Sequence, residues 1–261
     1  MSALYHFART ADDLADEGLA PSSERLHQLA DFRRDLLRAQ NGQPLQSPWQ
    51  HTIAAVAGYA HRLHLDWEQL FFLLEAFEQD VRFTASGRTY ADMEELLQYC
   101  RRSANPIGRL MLQIMGQDSA EKREASDHIC TALQLINFWQ DLGVDLARNR
   151  HYIPDAIWLS RGLPTHTDIR KITLDLAQSV VAELVTHARQ TMERGAWLPK
   201  AIPGRMGWEL RAVVLGGLRV IEHIESQGFC SWTNRPVVTR LDSAAIAMRC
   251  LFYPYARKVA V

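Results

Sequence analysis

Two short stretches of this chain set carboxylates one helical turn apart, next to a cation and a phenol. The first runs Tyr5-His-Phe-Ala-Arg9-Thr-Ala-Asp12-Asp-Leu-Ala-Asp16. Taken as a helix over Leu4–Asp16, with Asp12 at zero, it places Tyr5 at about 20°, Asp16 at about 40° and Arg9 at about 60°. A phenol, a guanidinium and two carboxylates then share one narrow stripe. Leu4, Phe7, Ala8, Ala11, Leu14 and Ala15 occupy the other side.

The second stretch is Thr131-Ala-Leu-Gln-Leu-Ile-Asn-Phe-Trp-Gln-Asp-Leu-Gly-Val-Asp145. With Asn137 at zero on a continuous helix, Asp141 falls at about 40°, Gln134 at about 60° and Asp145 at about 80°. Leu133, Leu135, Ile136, Phe138, Trp139, Leu142 and Val144 cover most of the remaining girth. A helix so apolar is normally buried, and its carboxylates then need polar partners or metal ions. A solvated face explains most Asp-x-x-x-Asp pairs. Here two stripes share the spacing and one sits on a mostly apolar body, which argues for a site.

Carboxylate stripes of this kind suit a hard divalent cation. Mg²⁺ takes oxygen ligands and is typically held by one or two carboxylates while substrate phosphates complete its shell. Arg9, and Arg150 with Tyr152 just after the second stripe, are the side chains to take phosphate oxygens. The site expected is a diphosphate held between two acidic helices with an apolar cavity beyond. A prenyl diphosphate fits it, and the reaction is ionisation with the leaving diphosphate stabilised by metal.

The elements that must carry these stripes are helices. Apolar residues recur at helical intervals almost throughout, as in Trp67–Phe77 and Ile129–Leu146, while strand alternation and hairpin turns are absent. Pro and Gly punctuate without forming a linker, at Asn41–Pro44, Ser86-Gly87, Gly162–Pro164 and Pro199–Gly204. No repeat or low-complexity segment is found. A single all-α domain over 1–261, with eight to ten helices, is the expectation.

Composition excludes other classes. Lys and Arg number 29 and Asp and Glu 30, a net charge of −1 that leaves no basic footprint for nucleic acid. Four scattered cysteines lack Cys-x-x-Cys spacing, so reduced thiols and a cytoplasmic location are expected. There is no signal-peptide pattern, and no apolar run approaches the roughly 18 residues of a membrane span. His51, His61 and His64 have no acidic or thiol partner nearby and read as surface or packing residues. Trp67, Phe71, Phe72 and Phe77 read as core, and Gly216-Gly217 as a place for close helix packing. No glycine-rich nucleotide loop occurs, so no nucleotide cofactor is expected.

At the two stripes the chain resembles the squalene/phytoene synthase family, head-to-head prenyl synthases of the all-α isoprenoid-synthase fold, a helical bundle with a central active-site cavity. Tyr5, Arg9, Asp12 and Asp16 match its first motif. Asn137, Asp141, Asp145, Arg150 and Tyr152 match its second, and Gln134 a pocket position. Phe7–Gly18 and Tyr99–Gly108 are similar to the hopanoid-pathway branch, hydroxysqualene synthase; relatives usually have Gly where this chain has Asn105. Only four residues precede Tyr5, where relatives carry a further helical segment.

The resemblance implies that Asp12, Asp16, Asn137, Asp141 and Asp145 bind several Mg²⁺ ions bridging the diphosphate, which Arg9, Arg150 and Tyr152 hold. Tyr5, Tyr99, Asn105 and Gln134 would line the reacting end, with Tyr5 and Asn105 able to orient a water; Asn105 reads equally as a helix-end residue before Pro106. The implied activity is a carbon–oxygen lyase converting presqualene diphosphate and water to hydroxysqualene and diphosphate. One alternative is a squalene or phytoene synthase condensing two prenyl diphosphates; squalene synthases proper also consume a nicotinamide. The other is a non-catalytic helical assembly partner. Partners expected are the pathway enzymes before and after it and, for a thirty-carbon substrate, peripheral contact with the inner face of the membrane. No basic amphipathic helix is evident in the sequence to secure that contact.

Overall fold

The helical period expected from the sequence produces thirteen α-helices, one short 3₁₀ turn and no strand among the described residues, 2–255, of this computed structural model. Ten of the helices have ten residues or more, in line with the expected number. The surplus is α8 (Leu142–Ala147), α9 (Asp155–Leu159) and α11 (Leu198–Ala201), single turns too short for a periodic pattern to announce. Among the described residues no helix is long and apolar enough to cross a membrane.

Two compact units make up the chain, Met1–Arg88 with Arg101–Asp118, and Thr89–Cys100 with Ser119–Val261. The first contains α1 (Ser2–Asp16), α2 (Ser22–Gln40), α3 (Gln50–Leu63), α4 (Trp67–Ser86) and α6 (Asn105–Ile114). Helix α1 buries Leu4, Phe7 and Ala11, the side opposite its polar stripe, against α2, α3 and α4. Phe7 meets Phe32 with ring centroids 5.3 Å apart, and Leu70, Leu73 and Leu74 complete the same core. Trp67, Phe71 and Phe77 pack against that core, and His61 hydrogen-bonds the Ala39 carbonyl at 3.0 Å, so these residues are packing groups.

Asp35 ties the turn after α2 to the helix. Its buried carboxylate accepts from the amides of Gln46 at 2.9 Å and Ser47 at 2.6 Å and from the Arg38 guanidinium at 2.9 Å. Burial pushes its pKa up, and these donors more than reverse the effect, leaving it below the usual carboxylate range.

Helix α5 (Met93–Ser103) runs from the second unit's segment into the first's. The second unit is built on α7 (Ala120–Gln140), α10 (Leu174–Gly195) and α12 (Gly204–Ser226), which pack on one another, with α13 (Arg240–Leu251) laid on α12. Glycine sets how closely they approach. A Cβ at Gly195 would collide with the Ala125 carbonyl and lie 2.9 Å from Ile129 Cγ1; one at Gly217 would lie 2.9 Å from Leu133 Cδ2. Gly216 has open space around it, so only Gly217 of the pair serves close packing. The four cysteines are free thiols.

Candidate functional site

Each unit carries one of the two acidic stripes. In the first, α1 begins two residues earlier than the expected Leu4 and ends at Asp16 as the stripe requires. Tyr5 is exposed, and Asp12 and Asp16 are half-buried. The Arg9 guanidinium contacts Asp12 at 3.0 Å, Asp13 at 2.8 Å and Glu17 at 2.6 Å. Asp13, with Asp12 and Glu17, holds it more firmly protonated than usual. Arg9, expected as a phosphate ligand, thus already has anionic partners, and Asp13 and Glu17 join the stripe unannounced by its spacing. Asn105, in the same unit, is buried at the first position of α6 directly before Pro106, which is the helix-end placement.

In the second unit the expected continuous helix over 131–145 is broken. Helix α7 ends at Gln140, Asp141 takes φ −100° and ψ 11°, and α8 starts at Leu142. The segment after Gly228 explains the bend. Its Trp232 carbonyl presses on Gly143 where no Cβ would fit, and its Pro236 carbonyl accepts from Gln140 Nε2 at 2.6 Å. The hydrogen-bond rungs survive on both sides, Asp141 N to Asn137 O and Asp145 N to Asp141 O, each 2.9 Å. Asn137, Asp141 and Asp145 therefore remain successive turns of one path. Asn137 is exposed, against the expectation of a fully buried stripe, while Asp141 and Asp145 are partly buried.

Arg235, which the sequence did not single out, donates to both Asp141 oxygens, from Nε to Oδ1 and from Nη2 to Oδ2 at 3.3 Å. That pairing holds Arg235 firmly protonated. No local spacing points to it, because the two residues are 94 positions apart.

A Schellman cap delivers Arg150. Asn149 adopts φ +59°, the Arg150 amide returns to the Asp145 carbonyl at 2.9 Å, and the Asn149 amide to Leu146 at 3.3 Å. The Arg150 guanidinium ends 3.9 Å from the Asp145 carboxylate. Next to it, Tyr152 stacks on Phe138 of α7, centroids 3.8 Å apart and planes 14° from parallel, with Tyr90 at 6.1 Å and Tyr99 at 6.4 Å. This aromatic stack clamps the loop that carries Arg150 onto α7. Gln134 lies half-buried one turn before Phe138.

Asp145, Arg150 and Tyr152 together line a narrow cleft of about 20 Å³ with Thr89, His151, Trp158, His166 and Thr167. Burial, and then the neighbouring His166, keep His151 below its ordinary range and so uncharged at neutral pH. A guanidinium and a phenol at one cleft can take anionic oxygens, whereas the Thr89 and Thr167 hydroxyls already donate to Asp155 and to the Pro164 carbonyl. The aromatic rings behind them offer an apolar wall with π faces, which a carbocation favours.

The donor chemistry suits Mg²⁺: Asn137, Asp141 and Asp145 offer only oxygen. Among the described residues no three or more His, Cys, Asp or Glu gather as a ready metal cluster. A hard ion that completes its shell with waters and phosphate needs no such cluster.

The squalene/phytoene synthase family model matches residues 1–242. The hydroxysqualene synthase of Zymomonas mobilis is 34% identical over 216 residues, 81% of this chain and 68% of that protein. That of Rhodopseudomonas palustris is 37% identical over 153 residues, 58% of this chain and 48% of that protein. The chain thus spans from about half to two-thirds of these curated relatives. Among solved structures, squalene synthase HpnC from Alicyclobacillus acidocaldarius aligns with a TM-score of 0.76 at 34% identity, over 87% of this chain and 82% of that one.

Proposed function

The chain belongs to the squalene/phytoene synthase family, and from that premise we propose that it ionises presqualene diphosphate and captures water, releasing hydroxysqualene and diphosphate. The observation that carries this reading is the similarity to hydroxysqualene synthase over 81% of the chain. The cleft of the second unit supports it, with Asp145, Arg150 and Tyr152 at one opening.

In this reading Arg150 receives diphosphate oxygens, helped by Tyr152. Asn137, Asp141 and Asp145 are the metal-holding oxygens of the second unit, and Asp12 and Asp16 those of the first. Mg²⁺, when bound, supplies positive charge against which the diphosphate leaves. As the carbon–oxygen bond breaks, its electron pair departs with the diphosphate and a cyclopropylcarbinyl cation remains. The rings of Tyr99, Phe138 and Tyr152 shield that cation, so that one oriented water adds and bulk water is kept away. The added water gives up a proton, and the product is an alcohol. Gln134 is the polar side chain of the second unit assigned to orienting that water, and Tyr5 and Asn105 are polar groups of the first unit in the same reading.

Incubating the pure protein with presqualene diphosphate, Mg²⁺ and ¹⁸O-water tests the reading. Diphosphate should be released with an alcohol carrying solvent oxygen, whether or not NADPH is present. A second reading, squalene synthesis, is favoured by the name of the structural relative. Squalene formed when NADPH is added would replace the first reading with the second. No diphosphate release under Mg²⁺ would leave a non-catalytic assembly partner.

A further inference from the structure

Helix α13 has two faces that are both apolar. One is buried against α12 and carries Ile246 and Cys250. On the other, at about 100° per residue, Leu251, Ala244, Met248, Leu241 and Ala245 share an arc of about 120°, with Phe252 following at the C-cap. All six are exposed; Leu241 and Phe252 keep 83% of their surface in solvent and Met248 68%. Val237 and Val238, just before the helix, extend the patch. Scattered exposed apolar residues are ordinary, whereas a contiguous stripe along one helix marks a contact surface.

The helix cannot roll to hide this stripe. Asp242, its one acidic residue, is buried and fastened by Arg219 at 2.6 Å, His223 at 3.0 Å and the capping Thr239 at 2.7 Å. Rotation would tear out that carboxylate. The outward face is therefore a fixed product of the sequence.

Charge names the occupant. Arg240 and Arg249 fall on the two edges of the arc and both stay exposed; Arg249 also contacts Glu222 at 3.0 Å. With Asp242 turned inward, Arg240 leaves one flank of the apolar stripe positive, while Arg249 on the other is paired with Glu222. At the end of the helix Arg211 hydrogen-bonds the Cys250 carbonyl at 3.3 Å and lies over the half-exposed Trp208 ring at 4.2 Å, adding an indole of the kind that settles at headgroup depth. Apolar side chains beside exposed arginine match acyl chains beneath anionic headgroups, a surface not evident in the sequence because Asp242 is buried rather than facing out.

We propose that the outer face of α13 docks the protein on an anionic bilayer. The inference takes its purpose from the proposed activity, since a thirty-carbon substrate and product reside in lipid, but its observations are independent of the active site.

The experiment is sedimentation of the purified full chain with vesicles of phosphatidylcholine alone or mixed with phosphatidylglycerol, at low and high salt. The protein should pellet with the anionic vesicles, and added salt should weaken binding. Leu241→Gln, Met248→Gln and Phe252→Gln combined should reduce partitioning at least tenfold, and Arg240→Glu should erase the preference for phosphatidylglycerol. All four positions are exposed, so these variants keep the fold. Failure to pellet, or equal pelleting of wild type and triple variant, overturns the proposal. So does a wild-type dimer that the triple variant converts to monomer, which would give the face to a second copy. Turnover of detergent-dispersed presqualene diphosphate is measured in parallel. A protein that pellets without turning over refutes the activity and keeps the docking; one that turns over without pelleting does the reverse.

Discussion

Asp141 and Arg235 clasp each other at the bend between α7 and α8, and the clasp is half open to solvent. An ion pair at that exposure contributes about 1 kcal/mol or less, so the pair adds little to the fold. The carboxylate's value lies in what it can bind. Asp141→Asn should therefore lower turnover by orders of magnitude, and Asp16→Asn likewise, with each Tm shifted by no more than about 4 °C. Steady-state rates with melting curves on the same samples check this, and unchanged rates in both variants would remove these residues from the metal-holding set. Asp141 was legible in the sequence because its partners in the motif recur every fourth residue. Arg235 was not, because only the folded loop brings it there. Asp13 and Glu17 escaped for a different reason: the stripe was drawn around Asp12, and Arg9 is long enough to reach carboxylates at its margin.

At the scale of the helix, period alone located α1 to within two residues but carried α7 straight through Asp141. A sequence pattern measures how residues recur along one axis, and it is blind to a neighbour that bends the axis. Here the neighbour is the Trp232 carbonyl pressed onto Gly143. Glycines separate into those that permit such contacts and those that do not. Gly195 lies under the Ala125 carbonyl at the packed face of α7 and α10, whereas Gly216 faces open space on α12. Gly195→Ala should destabilise by about 2 kcal/mol or more, since backbone cannot move aside as a flexible side chain can. Gly216→Ala should stabilise by about 0.5–1 kcal/mol, because alanine loses less backbone entropy in a helix interior. Denaturant midpoints compare the two. Equal destabilisation by both would show that the α7–α10 approach does not depend on Gly195.

For the molecule as a whole, the all-α class was plain from the sequence, and its division into two units was not, because the chain crosses between them at residues 88–89, 100–101 and 118–119 without a linker. The division has a consequence under acid. In the second unit His128 and His187 are held below the ordinary histidine range, by burial first and then by Arg194, and His151 by burial and then His166. A histidine depressed in the fold stays neutral while the unfolded chain takes up its proton, so the unfolded state binds more protons. Their stabilisation is complete above about pH 6.5 and declines as the pH falls through the folded values. In the first unit the depressed group is Asp35, so its contribution persists until about pH 4 and fades only below it. Asp168, through Arg170, and Asp242, through Thr239 and Arg219, add a second acid step of the same sign to the second unit. Between about pH 6.5 and 4.5, then, α7 and α10 should lose protection while α2 and the turn fastened by Asp35 keep theirs. Hydrogen exchange read by mass spectrometry at stepped pH, corrected for intrinsic rates, resolves the two sets of amides. His128→Gln with His187→Gln should shrink the early step and leave the late one in place. Loss of protection in both units at a single pH would mean that the histidines do not set the acid response, and that carboxylates alone govern it.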